Sequence, residues 1–401
     1  MRLITARHGR ALSGNWSRTR KRVSACVPYV HSMRYATALS EHSDPRVAVA
    51  EVVGQILERI GTSPGLAVLF VSGSHVNEVQ LIARTVRQGL EPRHLIGATA
   101  ASVLAHRQEV EEAAAVVLWA GHTGPVDMLA SDGHQDLATI PAGSSVLALA
   151  DPFTFDAATT LASVPPEVVL VGGLASHSRF PGGNHLIADG EITTGGSVMA
   201  VLPEGLGIRP LVSQGCRPIG DPFTITGASR NLILELGGHP AVQRLDDLLS
   251  SASETDRDLM RQGLQIGFAV EEDSAVLGTG DFLVRNVVGA DRSSGGVAIA
   301  GMAAVGETAQ FHVRDPAVAT SELATLLHPL RAESALLFTC NGRGKRFFSK
   351  PSHDAELFCD GLDTTAVGGM FCAGEMGPVG AGHHVHGYTA CGLLFGASSA
   401  Q

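Results

Sequence analysis

Lysine is nearly absent from this chain, and aromatic residues are few. The sequence has 29 basic residues among 401, and the only lysines are Lys21, Lys345 and Lys350. Aromatic residues make up 5% of the chain, whereas hydrophobic residues make up 44%, which is enough for a sizeable core. No apolar run reaches the roughly 18 residues that a membrane-spanning helix needs, so we expect no membrane partner.

Cysteine is also sparse, and it follows no pattern. The six cysteines are scattered and include no Cys-x-x-Cys pair, which argues against a disulfide scaffold or a zinc site. We therefore predict a protein of a reducing, cytoplasmic setting, with no metal and no cofactor.

Acidic residues are missing from the first 32 positions. The basic residues there are Arg2, Arg7, Arg10, Arg18, Arg20, Lys21 and Arg22. The whole chain nevertheless has a net charge of −10, so the remainder is acidic and would repel nucleic acid and anionic membranes. The head lacks the apolar segment of a secretory signal. We predict that residues 1–32 form a basic disordered extension that folding does not require.

The hydrophobic pattern predicts an α/β fold. An N-cap at Asp44, Pro45 at the first helical position and Gly61 after the last turn predict a helix. The apolar run "LAVLFVSG" that follows is typical of a strand buried on both faces.

The pattern that follows predicts a repeated strand–helix–strand–strand unit. The three copies span residues 66–120, 145–202 and 334–395, and we predict one shared topology for them, although any α/β chain shows similar spacing. Ligands gather beyond the carboxyl ends of parallel strands. In the three copies those ends read "SGSH", "DPFTFD" and "CNGRGKR".

The region between the second and third copies is of another kind. It alternates and turns as antiparallel strands do, with a helix near Pro240. The predicted fold is therefore α/β, with mixed sheets built from strand–helix–strand–strand units and with antiparallel hairpins.

Several motifs resemble those of the FIST domain family. They are "SQGCRPIGDPFTIT", "ILELGGHPAVQRL", "LFTCNGRGKR", "GGMFCAGEMGP" and "HVHGYTA". The resemblance implies two FIST parts, an N-terminal domain at 33–238 and a C-terminal domain at 239–401. It also implies a sensory domain in signal transduction that binds a small ligand, amino acids being the suggested class, and that passes its signal to a protein partner.

The stretch "CNGRGKR" is the leading candidate for a ligand site. Alternating glycines let backbone amides converge on an anion, and the planar fork of Arg343 matches a carboxylate. Glu375, at the end of a neighbouring apolar strand, would either bind a ligand's ammonium group or form a structural ion pair with Arg343. The predicted ligand contacts are Cys340, Asn341, Gly342, Arg343, Gly344, Glu375, His386 and Thr389.

Two other classes of function stay open. A hydrolase or transferase would use Cys340 as nucleophile with His353 or His386 as base, or a metal held at His383 and His386. A protein-interaction module would instead present a large exposed apolar patch. We expect a binding protein and predict no catalytic residue.

Overall fold

The computed structural model describes residues 34–270 and 279–399 of the chain. The predicted basic extension lies outside the described residues, so that prediction stays a prediction. Within the described ranges the fold is α/β, with mixed sheets built from strand–helix–strand–strand units, as the sequence predicted. No helix in these ranges is both long enough and apolar enough to cross a membrane.

The first unit contains the helix that the sequence predicted. The side chain of Asp44 accepts a hydrogen bond from the amide of Arg46, and Gly61 ends the helix at a φ of 78°. In chain order the unit contains β1 (Tyr35–Ser40), α1 (Pro45–Ile60), β2 (Leu66–Ser72), a 3-10 turn (Gly73–Glu78), α2 (Val79–Leu90), β3 (His94–Ala100), β4 (Val103–Ala105), β5 (Gln108–Val110) and β6 (Ala115–Gly121).

The second unit follows the same strand order, with no helix between its first two strands at 132–144 and a shorter helix between its parallel strands. It contains β7 (Asp127–Ser131), β8 (Ser145–Ala150), α3 (Ala157–Ala162), β9 (Val169–Leu174), β10 (Leu186–Ala188), β11 (Glu191–Thr193) and β12 (Ser197–Leu202). The third unit opens with β13 (Arg209–Ser213), which a long insertion separates from the rest.

The insertion forms an antiparallel barrel. It contains β14 (Cys216–Ser229), β15 (Leu232–Leu236), β16 (His239–Pro240), α4 (Ala241–Ser251), α5 (Glu254–Gln262), β17 (Leu264–Ala269), a 3-10 turn (Thr279–Asp281), β18 (Phe282–Asp291), β19 (Gly296–Ile299) and β20 (Thr308–Arg314). The strands pair in the order β14-β20-β17-β18-β19-β15, and an additional β14–β15 pairing closes the ring. Strands β14 and β18 are irregular in their pairing and bend there. The first part of β14 pairs with β20 and the last part with β15, and the first part of β18 pairs with β17 and the last part with β19.

The chain then completes the third unit. This part contains α6 (Pro316–Leu327), β21 (Leu330–Arg331), β22 (Ser334–Cys340), α7 (Lys345–Phe348), α8 (His353–Leu362), β23 (Val367–Cys372), β24 (Glu375–Val379), β25 (Gly382–His386), β26 (Ala390–Phe395) and β27 (Ser398–Ser399).

The three units share one topology, as the sequence predicted. In each, the strand before the helix pairs in parallel with the strand after it: β2 with β3, β8 with β9, and β22 with β23. On its other side it pairs antiparallel with the last strand of the unit, which is β6, β12 or β26. The opening strand, β1, β7 or β13, lies at the outer edge in all three.

The units exchange their hairpins in a cycle, which the sequence did not predict. Hairpin β10–β11 of the second unit pairs with β3 of the first. Hairpin β24–β25 of the third unit pairs with β9 of the second, and hairpin β4–β5 of the first pairs with β23 of the third. Each six-stranded sheet therefore has four strands of one unit and two of another. The exchange covers an edge that would otherwise offer unpaired backbone groups to other chains.

In each unit, one glycine lies where the two parallel strands come too close together for a side chain. The paired residues are Gly97 with Leu69, Gly172 with Ala148, and Gly369 with Leu337. A Cβ at these glycines would lie 2.3, 1.8 and 1.9 Å, respectively, from the carbonyl oxygen of the paired residue. No side chain larger than hydrogen fits there without a backbone shift.

The inner faces of the three sheets form one central core. Phe70, Leu149 and Phe338 occupy the same register position in the three units, and all are buried in this core. The rings of Phe70 and Phe338 meet edge to face at 6.1 Å between centroids. Since all three units supply this core, none has its full core alone.

Replacing Gly172 with alanine tests the close pairing. We expect Gly172→Ala to lower the free energy of unfolding by about 2–4 kcal/mol, because the backbone must shift to admit the Cβ. The control is Gly54→Ala in α1, where a Cβ would meet nothing within 4 Å. That change should raise stability by up to about 1 kcal/mol through helix propensity. Urea unfolding of both variants measures the change in the free energy of unfolding, and equal effects would contradict the close-pairing argument.

Candidate functional site

A polar cavity of about 610 Å³ lies where the strand ends of the three units meet. All three units and the barrel line it. The polar and aromatic residues on its walls include Ser102, Glu111, Glu112, Phe153, Ser176, His177, Ser178, Arg179, Gln262, Arg314, Asn341, Arg343, Arg346 and Phe347. Most of the wall residues belong to the loops that follow the parallel strands, as expected for ligand sites in such sheets.

The predicted site residues divide between this cavity and the interior behind it. Asn341, Gly342 and Arg343 line the cavity. The other predicted contacts are not on its walls: Cys340, Gly344, Glu375, His386 and Thr389. The stretch "CNGRGKR" is therefore one wall of a site that extends well beyond it.

Arg343 is held by an acid that the sequence analysis did not consider. Its Nε and Nη2 donate to the two carboxylate oxygens of Asp354 at 2.6 and 2.8 Å, and its Nη1 donates to the carbonyl of Tyr388 at 3.3 Å. The residue is 3% exposed. Its planar fork is thus already used within the protein, and the structural ion pair is with Asp354 rather than with Glu375.

Asp354 is the centre of this buried network. Besides Arg343, it accepts hydrogen bonds from Thr339 Oγ1 at 2.7 Å and pairs with His353 Nδ1 at 2.9 Å. Burial is the largest influence on its pKa and opposes ionisation. The charge and hydrogen bonds of Arg343 outweigh it, so the pKa of Asp354 lies well below its usual range. The pair is therefore ionised at neutral pH.

The exchanged hairpin of the first unit fixes this network from outside. Glu109 on β5 accepts hydrogen bonds from the amides of Asp354 and Ala355, at 2.9 and 3.0 Å. These amides are at the start of α8 and have no intrahelical partner, so a residue of another unit caps the helix. Burial, followed by the nearby charge of Asp354, raises the pKa of Glu109 to about 8.

The amides of the "CNGRGKR" loop do not form the open anion nest that the glycines suggested. Gly342 N–H donates to Cys340 Sγ, and Arg343 N–H donates to Cys340 O at 2.8 Å. Lys345 N–H donates to Glu111 Oε1 at 2.9 Å. Because these donors have partners inside the protein, the loop presents side chains rather than bare amides to the cavity.

Glu375 lies in a fully buried cluster with other predicted residues. Its Oε2 accepts hydrogen bonds from the amide and the hydroxyl of Thr389, at 3.2 and 2.7 Å. Burial raises the pKa of Glu375 to about 8, so the carboxyl group is protonated at neutral pH. A neutral carboxyl group that does not line the cavity gives little attraction to an ammonium group, so the predicted ligand role of Glu375 gains no support.

Two histidines of β25, His383 and His386, form hydrogen bonds inside the protein. His386 binds the carbonyl of Gly377 at 3.0 Å, and burial lowers its pKa to about 4. His383 Nε2 accepts the amide hydrogen of Leu170 at 3.2 Å. Within the part of the chain that the structure describes, no group of three His, Cys, Asp or Glu residues is arranged to hold a metal ion.

The surroundings of Cys340 are unlike those of a reactive thiol. Burial, with a further effect of Glu375, raises the pKa of Cys340 to about 12, which keeps the sulfur protonated. The two candidate bases are engaged elsewhere, since His353 binds Asp354 and Thr320 while His386 binds Gly377. The thiol-enzyme interpretation therefore gains no support from the geometry.

Two cations on the cavity walls have no acidic partner among the described residues. They are Arg179, after β9, and Arg314, at the end of β20. Arg314 donates to the carbonyl of Gly342, and its guanidinium lies 4.4 Å from the ring centroid of Phe347 and 4.3 Å from that of Tyr388. These rings fix its plane at the cavity wall.

The acids of the cavity lie on the loop that follows β5. Glu112 pairs with Arg346 at 3.2 Å, and Glu111 accepts the amide of Lys345. With Arg343 and Arg346 both paired, the unpaired guanidinium groups of Arg179 and Arg314 give the walls a surplus of positive charge. The arrangement suits a ligand with at least one anionic group.

The sequence analysis pointed to the "DPFTFD" stretch with Phe153 as a strand end but did not name Arg179, Gln262 or Arg314. The strand-end rule, applied to all three copies, identifies Phe153 and the "SHSR" run at 176–179, because these follow parallel strands. No local signal identifies Gln262 and Arg314, because they reach the cavity from the barrel.

Comparison with known proteins gives consistent family matches. The FIST N domain matches residues 65–239, and the FIST C domain matches residues 241–378. An uncharacterized protein of Mycobacterium bovis is 39% identical over 90% of this chain and 99% of its own length. An uncharacterized protein of Mycobacterium tuberculosis strain H37Rv is 36% identical over 90% of this chain and 100% of its own.

Removing the partner of Arg343 should destabilise the fold. We expect Asp354→Asn to lower the free energy of unfolding by about 3–5 kcal/mol, because a buried guanidinium loses its counter-charge. The control is Glu112→Gln, which breaks the exposed pair with Arg346 in the same loop and should change stability little. Denaturant unfolding measures both. A small loss for Asp354→Asn would mean that the network is dispensable.

The raised pKa of Glu375 predicts a pH effect. A folded-state pKa above the unfolded value stabilises the fold fully at low pH, and the contribution is lost as pH rises through about 8. Glu375→Gln should therefore gain stability relative to the native protein between pH 5 and 8, by on the order of 1 kcal/mol per pH unit. Urea unfolding across this range measures the difference. A difference that does not vary with pH would show that Glu375 titrates normally.

Proposed function

The chain belongs to the FIST domain family of sensory domains in signal transduction, and on that premise we propose that it binds a small carboxylate, an amino acid in particular. The proposed site is the cavity at the strand ends. The observation that carries the proposal is the pair of unpaired guanidinium groups of Arg179 and Arg314 on its walls.

The chemistry of an amino acid matches the two sides of the cavity. Its carboxylate would bind Arg179 and Arg314, whose guanidinium plane is fixed by Phe347 and Tyr388. Its ammonium group would lie toward Glu111 and Glu112 on the first unit. A volume of about 610 Å³ is within the usual range of small-ligand sites, about 300–1,000 Å³.

The position of the cavity supports a sensory role. Arg314 belongs to the barrel, Arg179 to the second unit and Glu111 to the first, so one ligand would contact groups on separate parts of the fold. A ligand that binds one arrangement of these parts better shifts the population toward it. A signalling partner that recognises this arrangement would then receive the signal.

The interaction-module alternative has weaker support. The large apolar side chains exposed on the barrel include Val288, Met302 and Val305. Single exposed apolar residues are normal on protein surfaces and do not by themselves mark a partner site.

Ligand-dependent thermal unfolding tests the proposal. An amino acid that binds only the folded state at 100 times its Kd adds about 2.7 kcal/mol of stability, which raises Tm by several degrees. Arg179→Ala should weaken binding about tenfold or more, because a charge-assisted hydrogen bond is lost. Arg314→Lys should also weaken binding, since the charge is kept but the planar fork is lost.

The matched control is Arg292→Ala. Arg292 is an exposed barrel residue that pairs with Asp246 and does not line the cavity. Its loss should leave the Tm shift unchanged. If no amino acid or other small carboxylate raises Tm at millimolar concentration, the proposal is wrong.

A further inference from the structure

A second cavity, of about 710 Å³, lies between α3, β25 and the barrel. It shares no lining residue with the cavity at the strand ends. One wall is formed by α3 and the turn after it, and the opposite wall by His383 and His384 on β25 with Arg285 on β18. The proposed amino-acid site makes no use of these residues.

Arg285 forms no ion pair with any residue that the structure describes. Its Nη1 donates to the carbonyls of Val284 and Val385, at 3.0 and 3.3 Å. Among the described residues, no carboxylate lies within ion-pair distance of it, and burial lowers its pKa. A desolvated cation is costly unless it is paired, so an anion that enters this cavity would be stabilised there.

The two histidines add hydrogen-bond capacity beside this cation. Because His383 Nε2 accepts the amide hydrogen of Leu170, the neutral ring carries its proton on Nδ1 and can donate from there. His384 is half-buried on the same wall, and its pKa is lowered by burial and then by the charge of Arg285. This wall therefore offers a guanidinium group and imidazole donors, which suit one anionic head group.

The opposite wall is apolar. Its residues are Ala157, Ala158, Leu161, Ala162, Val164 and Pro166. Since no carboxylate lines this wall, a ligand's ammonium group would have no counter-charge on it, so the wall disfavours an amino acid. This apolar wall would instead pack against the hydrocarbon part of a ligand.

We propose that this cavity binds an amphipathic carboxylate, with its anionic head at Arg285 and the histidines and its hydrocarbon tail along α3. A volume near 700 Å³ leaves room for a tail of several carbons. The site belongs to the exchanged hairpin β24–β25, which links the third unit to the sheet of the second. The ligand would therefore bind at a junction between two units and the barrel.

Isothermal titration of the full chain with octanoate tests the proposal. Octanoate should bind saturably, whereas acetate, which has only the head, and octanol, which has only the tail, should each bind at least about tenfold more weakly. Arg285→Gln should weaken octanoate binding about tenfold or more, the factor expected when a charge-assisted hydrogen bond is lost. Arg292→Gln, on an exposed residue just after the same strand, should not affect it.

A second variant keeps the test valid if Arg285→Gln does not fold. Ala158 is exposed in the first turn of α3, where a glutamate is favoured by the helix dipole. Ala158→Glu should therefore fold normally, yet it places a negative charge on the cavity wall and should weaken octanoate binding.

A lack of saturable octanoate binding would overturn the proposal, and so would four further outcomes. If octanol binds as tightly as octanoate, the carboxylate head group is not recognised. If acetate binds as tightly as octanoate, the hydrocarbon tail is not recognised. Octanoate binding that survives both Arg285→Gln and Ala158→Glu would place it elsewhere. Loss of octanoate binding in Arg179→Ala would assign it to the cavity at the strand ends. The amino-acid proposal is unaffected by the first three outcomes.

Discussion

The cyclic exchange of hairpins is the constraint on which the rest of the structure depends. Each third strand, β3, β9 or β23, has one edge that its own unit does not cover, and a hairpin of another unit supplies the missing hydrogen bonds. The strand pairing at Gly97, Gly172 and Gly369 is close enough to exclude any side chain at these positions. Because every unit completes the sheet of another and all three share one core, no unit has a complete sheet and a complete core by itself.

The same exchange creates the candidate site. It brings the carboxyl ends of three parallel strand pairs to one place, so the loops after them surround a common cavity. It also brings Glu109 of the first unit onto the start of α8, beside the Arg343–Asp354 pair. Two kinds of charge result. The buried charges are paired and hold the loops in place, whereas the cavity charges of Arg179 and Arg314 have no acidic partner among the described residues and can serve a ligand.

The barrel contributes an arginine to each of the two cavities. It is inserted between β13 and α6, and it contributes Arg314 to the first cavity and Arg285 to the second. Both arginines lack a carboxylate partner among the described residues. Anionic ligands at the two sites would therefore contact both the barrel and the three-unit body, and each could bias the arrangement of the two parts. Two sites with different ligand chemistry at such junctions suit a domain that integrates signals.

The sequence by itself determined the local elements, the order of the repeated units and the family. Helical spacing and caps predicted α1, apolar runs predicted the buried strands, and the motifs around "CNGRGKR" and "GGMFCAGEMGP" indicated the FIST family. Only the tertiary structure decided that Arg343 binds Asp354, that Glu375 is a neutral buried acid, and that Arg314 reaches the cavity from the barrel. The physical reason is that strand periodicity fixes which face a residue occupies, whereas the partner of a side chain depends on which distant strands pair and in what register.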